Sequence, residues 1–172
     1  MTTELVPPSR RHRDSFLDAS REFGPDEDTL IYEREHAVRD FDGFVDAVKS
    51  WSRGEKLPRG WVASTTRWLI VDDEYVGSVN IRHELTDWLL RFGGHIGYAI
   101  RPSRRREGHG TTICRLALDE SRSIGLKRVL ITCDADNIGS RKIIEANGGV
   151  FENEVVQPDN DSPKRRYWFD LS

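Results

Sequence analysis

A strand–loop–helix–strand run in the middle of the chain constrains the fold more than any other feature. His95 to Ile100 has the composition of a strand and is stopped by Pro102. From Gly110 to Ile124 the pattern turns helical, with Ile113, Leu116, Ala117 and Ile124 on one face and Gly125 placed as C-cap. Val129 to Cys133 (VLITC) then reads as a short buried strand. Strand, helix and strand in direct succession make an α/β unit around which everything else must be arranged.

The flanking sequence supplies the remaining elements. Residues 3–6 read as a short strand ended by Pro7 and Pro8. Ser9 to Phe23 reads as a helix, with Phe16, Leu17 and Ser20 sharing a face and Gly24-Pro25 as its stop. Residues 25–40 are acidic and expected to be irregular, and a helix follows Asp40 with Phe41, Phe44, Val45, Val48 and Trp51 at helical spacing. Trp68 to Val71 and Tyr75 to Ile81 flank Asp72-Asp73-Glu74 as a hairpin. A helix over Asn137 to Ala146, closed by Asn147-Gly148-Gly149, precedes strands at Val150–Val156 and Arg166–Phe169. The expected order is β-α-α-β-β-β-α-β-α-β-β, with no repeat and no Pro/Ser/Gly linker to split it. One domain over 1–172 is expected, its first 60 residues a helical part distinct from a core at 66–170.

Composition narrows the function. The 172 residues include 37% hydrophobic and 32% charged side chains, against an average near 25% charged for soluble domains. No apolar run approaches the ~20 residues of a membrane helix, and the N-terminus shows no apolar signal core. Cys114 and Cys133 make no disulfide framework, and no CxxC or HExxH spacing suggests a metal. A cytoplasmic protein with no membrane, nucleic-acid or metal partner is expected. The net charge of −3 divides into −5 over residues 1–80 (16 acidic, 11 basic) and +2 over 81–172 (13 acidic, 15 basic). Such a split suits a protein that holds an anion in its C-terminal half and meets a cation in its N-terminal half, although a solvated surface gives the same numbers.

The chemistry concentrates between strand and helix, from Tyr98 through Arg101-Pro102-Ser103-Arg104-Arg105-Arg106-Glu107-Gly108-His109-Gly110-Thr111. Glycines spaced G-x-G permit positive φ and close backbone approach. Amides at a helix start favour anions, and arginines add charge-assisted bonds to phosphate oxygens. The segment reads as a diphosphate cradle, with a tight turn beside a solvated Arg run as the alternative. It is no Walker loop, and Ile113 occupies the place of the third glycine of GxGxxG.

Arg105-Arg106-Glu107-Gly108-His109-Gly110 matches [QR]-x-x-G-x-[GA], and the chain resembles the GNAT superfamily of N-acetyltransferases. Asn80-Ile81-Arg82-His83 and Gly93-Gly94-His95-Ile96-Gly97-Tyr98 resemble a bacterial subgroup of predicted acetyltransferases. The resemblance implies an α/β fold: a single domain with a central mixed, mostly antiparallel sheet, splayed in the middle and flanked by about four helices. It also implies acetyl-CoA as cosubstrate and an amine acceptor, with the protein a monomer or homodimer. The backbone of Tyr98, Ala99 and Ile100 would pair with the pantetheine arm. The pyrophosphate would sit on the amides of Arg106 to Thr111, with Arg105 and Arg106 nearby and Asn137 touching the cofactor arm. Ribosomal-protein-type relatives carry a Glu at the position of Thr132 and a Tyr acid at that of Ile144, so this chain departs from that pattern.

Substitutes for the missing groups are present. His95 could act as base and Tyr98 as acid, while His83 and Glu84 sit at the end of a neighbouring strand, where alternation lets only one point into the cleft. Each also reads as a structural residue: a bonded strand histidine, a core tyrosine, a solvated edge. Cys133 reads as a buried thiol rather than an acyl carrier. Trp51, Trp61 and Trp88 either line the acceptor site or pack. Acetyl transfer to a primary amine of a small molecule or peptide, a cationic one suiting the acidic half, by direct attack in a ternary complex is the expected activity. An acyl-CoA-binding module without turnover is the alternative, and acyl transfer from a charged tRNA is a third, minor reading.

Overall fold

The computed structural model describes residues 1–24 and 28–172. Strands β1 (Thr3–Val6), β2 (Ser64–Val71), β3 (Glu74–Arg82) and β4 (Ile96–Ile100) form one antiparallel sheet in the order β1-β2-β3-β4. Strands β5 (Arg128–Asp134), β6 (Val150–Val155) and β7 (Lys164–Asp170) form a second, in the order β5-β7-β6. Helices α1 (Arg13–Ser20), α2 (Asp28–Arg39) and α3 (Phe41–Ser50) separate β1 from β2, α4 (His109–Ile124) links the two sheets, and α5 (Ile138–Ala146) follows β5.

One expectation fails. The stretch 25–40 is helical from Asp28 to Arg39, while residues 25–27 lie outside the described residues. The Gly24-Pro25 stop, the acidic run after it and the charged block Glu33-Arg34-Glu35 between two apolar clusters hide this helix, whose last turn carries His36 and Arg39, in line with the helix dipole. Among the described residues the α-helices number five. The first expected helix is also shorter, running as a 3-10 turn at Arg10–His12 and then α1 to Ser20.

Local chemistry explains the other boundaries. Asp40 caps α3 by accepting the Gly43 amide at 3.0 Å. The β2–β3 hairpin turns on Asp72 and Asp73, both at positive φ, as a two-residue loop joining right-twisted strands requires. Gly125, at φ +101, ends α4.

The first sheet is covered on both faces by different cores. On one face Val79, Ile81, Ile96 and Ile100 pack with Ile113, Cys114 and Ala117 of α4 and with Val129, Ile131, Ile144 and Tyr167 beyond. On the other, Trp68, Ile70 and Tyr75 pack against Phe16, Phe41, Phe44 and Trp51 of the N-terminal helices, with Phe16 stacked on Trp68 at 4.7 Å. Period-two alternation therefore divides the sheet into an α4 side and an α1–α3 side. Asn80 and Arg82 fall on the latter.

Candidate active site

The two sheets meet at one end of β4 and part at the other. The His95 amide donates to Leu130 O at 2.7 Å, and the Leu130 amide donates to His95 Nδ1 at 2.9 Å. The Gly94 backbone, at φ +67, lies so close that a Cβ there would meet Leu130 O at 2.7 Å. Beyond this junction β4 has β3 on one side only.

The phase of β4 follows from two bonds that bracket it. Arg82 N–H reaches His95 O and Arg101 N–H reaches Val76 O, each at 2.7 Å. The His95 carbonyl, the backbone of Gly97 and Ala99 and the Arg101 amide therefore turn to β3, and the backbone groups of Tyr98 and Ile100 face the open edge. Of the three residues expected to meet the cofactor arm, Ala99 has its backbone committed to the β3 ladder. The amides of Tyr98 and Ile100 remain available, while Ile100 O already accepts Arg105 Nε at 3.0 Å.

At the open end the chain turns into α4 through Arg106, at φ +64, and Gly108, at φ +86. Among the described residues the amides of Arg106 through Thr111 find no acceptor, and the first that does is Thr112, at 3.1 Å from Gly108 O. Six consecutive open donors stand at a helix start, an arrangement that suits an anion. The two glycines serve different ends. Nothing lies within 4 Å of a Cβ placed on Gly108, whereas one on Gly110 would meet Ile143 Cδ1 at 2.5 Å. Gly108 keeps the cradle open; Gly110 lets α4 approach α5.

A lattice of charges holds the cradle from behind. Glu22 accepts the Ser103 amide at 2.9 Å and Arg101 Nε at 2.6 Å; Glu74 takes Arg101 at 3.1 Å and Arg104 at 2.5 Å. Burial works to raise the Glu22 carboxyl, but the Ser103 amide and then Arg101 outweigh it and hold the group below its ordinary range. Arg104 also pairs with Glu107 at 2.9 Å, and Glu107 reaches His109 Nε2 at 3.1 Å. The Arg104 hydrogen bond is the largest influence lowering the Glu107 carboxyl. Arg104 is thus a strut, and the buried His109 ring and the Glu107 carboxylate are drawn into the lattice, so these two residues offer a ligand their amides. Arg105 and Arg106 are exposed, the former over the Phe23 ring at 5.8 Å.

In the split, Tyr98 Oη and Ser140 Oγ are 2.9 Å apart. Burial pushes the Tyr98 hydroxyl up, so it keeps its proton. Ser140 is placed by Asn137, whose Oδ1 accepts the Ser140 amide at 3.1 Å, leaving Asn137 Nδ2 to turn outward. Sequence reasoning missed Ser140 because a serine three residues after a capping Asn looks like ordinary helix-start chemistry. Burial raises the Cys133 and Cys114 thiols, the latter to about 12, which opposes thiolate formation at both. Ile144 is fully buried in the core.

Two candidate bases have structural partners. His95 is 7% exposed and its Nδ1 is occupied by the Leu130 amide; burial, and then Arg82, lower it to about 4. It stays neutral with its proton on Nε2 and fastens the two sheets together. His83 shares the Ile81 face, on the α4 side, and its Nε2 lies 2.8 Å from Thr65 Oγ1. Burial lowers it further, against a smaller opposing effect of Glu84. Glu84 is exposed and stays available. Trp51 is core, while Trp61 and Trp88 are exposed. Among the described residues no helix is long and apolar enough to cross a membrane.

A split α/β sheet with an anion cradle at its mouth defines a class of enzymes that carry an activated group on a nucleotide-tailed arm. The match to the Acetyltransferase (GNAT) domain over residues 4–150 makes the assignment specific: the chain belongs to the GNAT acetyltransferase family. No curated protein matches it significantly by sequence. Among solved structures it is similar to RimL, a ribosomal L7/L12 alpha-N-protein acetyltransferase in complex with coenzyme A (TM-score 0.68, 15% identity, 99% of this chain and 94% of that one). It is also similar to the microcin C7 self-immunity acetyltransferase MccE with acetyl-CoA and AMP (0.66, 14%, 98% and 92%). A third is a spermidine N-acetyltransferase SpeG chimera from Vibrio cholerae and hSSAT (0.65, 15%, 99% and 96%).

Proposed function

We propose that the protein moves the acetyl group of acetyl-CoA to the primary amine of a small molecule or peptide, by direct attack in a ternary complex. The observation that carries this reading is the meeting of two open donor rows at one split: the outward amides of Tyr98 and Ile100, and the six amides at the start of α4. The first suits the amide-bearing arm of CoA, added like a strand, and the second its diphosphate. When bound, acetyl-CoA supplies an acetyl group activated as a thioester.

The chain's own residues would then handle three proton movements. An alkyl ammonium with a pKa near 10.4 must lose one proton before its nitrogen can attack, the same nitrogen loses a second as the amide forms, and the departing thiolate, with a thiol pKa near 8.5, gains one. The Ser140–Tyr98 hydroxyl pair would relay the second nitrogen proton to sulfur and so end as it began. Glu84, an exposed carboxylate just past the end of β3, would take the first through water. The hydroxyl pair gives the split an acid where Ile144 cannot, which favours turnover over a binding module without it.

Thiol release from acetyl-CoA over a panel of amines tests the activity, and tight binding with no transfer to any amine overturns it. Ser140→Ala should lower kcat about 100-fold while leaving the acetyl-CoA dissociation constant unchanged. An unaltered kcat removes Ser140 from the proton path.

A further inference from the structure

The paired segments Asn80–His83 and Gly93–Tyr98 come together around one guanidinium. Arg82 donates through Nη1 to Gly93 O at 3.1 Å and Gly94 O at 3.0 Å, its own amide bonds His95 O, and its strand neighbour Asn80 stands opposite Gly97. Two carbonyls occupy one end of the guanidinium. The other end, the fork made by Nε and Nη2, meets no acceptor among the described residues. Burial alone acts on its pKa, with no carboxylate near enough to compensate. A largely desolvated cation without a counter-ion is costly unless something else supplies the charge.

Its surroundings are open where that fork lies. A Cβ built on Gly97 would meet one atom within 4 Å, Arg82 Nη2 at 3.9 Å. The gap above Gly97 is on the α1–α3 side of the sheet, across from the face covered by α4. Gly97 also immediately precedes Tyr98, so the gap lies beside the hydroxyl pair in sequence and across the strand in space. Asn80 spends Nδ2 on Ser64 Oγ at 2.9 Å and Thr66 Oγ1 at 3.0 Å, which leaves Oδ1 as its remaining polar atom.

We infer that the acceptor is an amine that also carries a carboxylate, held by the Nε/Nη2 fork of Arg82 over Gly97. A planar fork with two parallel donors matches a carboxylate in bidentate geometry, which a point-charge lysine does not. The inference rests on the transferase reading above and narrows its amine acceptor, for which the acidic N-terminal half suggests a cation, to a zwitterion.

Matched probes test it: β-alanine against β-alaninamide, and O-phosphoethanolamine against ethanolamine, in wild type and Arg82→Gln. Because amine basicity cancels between the two enzymes, the quantity to read is the change in the carboxylate-to-carboxamide ratio of kcat/KM. The expected result is a fall of tenfold or more in that ratio in Arg82→Gln, with the amide substrate changed less than about threefold. An equal loss on both substrates means Arg82 only clamps the Gly93–Gly94 carbonyls, and overturns the inference. A larger phosphate effect than carboxylate effect overturns the carboxylate assignment in favour of a phosphorylated amine. Should Arg82→Gln fail to fold, Gly97→Ala, whose methyl makes only an ordinary contact, should raise KM for β-alanine and leave β-alaninamide unchanged. If acetyl-CoA binds and no amine is acetylated, the transferase reading fails on its own. Calorimetric titration of β-alanine into the CoA-loaded protein then decides the site, with loss of binding in Arg82→Gln supporting it and unchanged or absent binding ending it.

Discussion

The imidazole of His95 accepts the Leu130 amide on Nδ1, which leaves its proton on Nε2 and no lone pair for a substrate. Its pKa of about 4 lies below the ordinary histidine value near 6.5. Between those values the unfolded chain binds the proton and the folded one does not. The stabilisation is therefore full above about pH 6.5 and is lost as pH falls toward 4, amounting to roughly 3 kcal/mol for this group. Urea unfolding at pH 7 and pH 4.5 should show a larger loss of stability for wild type than for His95→Gln. Equal losses would mean that other groups govern the acid limb. His95, His83 and Glu84 were all visible as candidates in the sequence, but a strand histidine looks the same whether its ring meets substrate or a backbone amide. That choice is made by residue 130, thirty-five positions away.

Elements carry a clearer signal than side chains. The central strand, cradle and helix could be read because Pro102, Gly108 and Gly125 punctuate them and the apolar period changes from two to 3.6 between them. Helix α2 escaped because its apolar residues fall in two clusters, Leu30-Ile31-Tyr32 and Ala37-Val38, split by the charged block Glu33-Arg34-Glu35, and the turn at Leu89–Gly93 escaped because its purpose is tertiary: Thr132 Oγ1 binds Phe92 O at 2.6 Å and Arg166 Nε binds Leu90 O at 3.0 Å. Two glycines at element ends separate stability from binding. Gly94→Ala places a methyl against the Leu130 carbonyl at positive φ and should destabilise the fold by about 3 kcal/mol. Gly108→Ala meets open space and should cost only about 1 kcal/mol of strain, while Gly108→Val should also obstruct the cradle and weaken acetyl-CoA binding. Thermal melts and titration of both variants check this, and unchanged affinity in Gly108→Val would make the loop only a turn.

Across the whole molecule, the charge asymmetry of the sequence is partly cancelled inside the fold. Glu22 and Glu74 from the acidic half neutralise Arg101 and Arg104 from the basic half, so the acidic excess is in part a brace for the cradle. Glu22 ties the end of the α1 region to Ser103. Glu22→Gln should raise the acetyl-CoA dissociation constant about fivefold through loss of charge-assisted bonds, and an unchanged constant would leave the brace without effect on the ligand. Composition reported the asymmetry but not the partners, since pairing across eighty residues depends on how β3, α1 and the cradle converge.

The fastening at His95 and Leu130 makes the split behave as a zipper with a stop. Amide exchange should reveal this directly. Without ligand, the Tyr98 and Ile100 amides, which face the open edge, should trade hydrogen for deuterium quickly, and the Leu130 amide slowly. Loading with acetyl-CoA should slow the first two toward the third, so the ligand acts as the missing row of teeth: a small molecule completing a sheet that the polypeptide leaves unfinished.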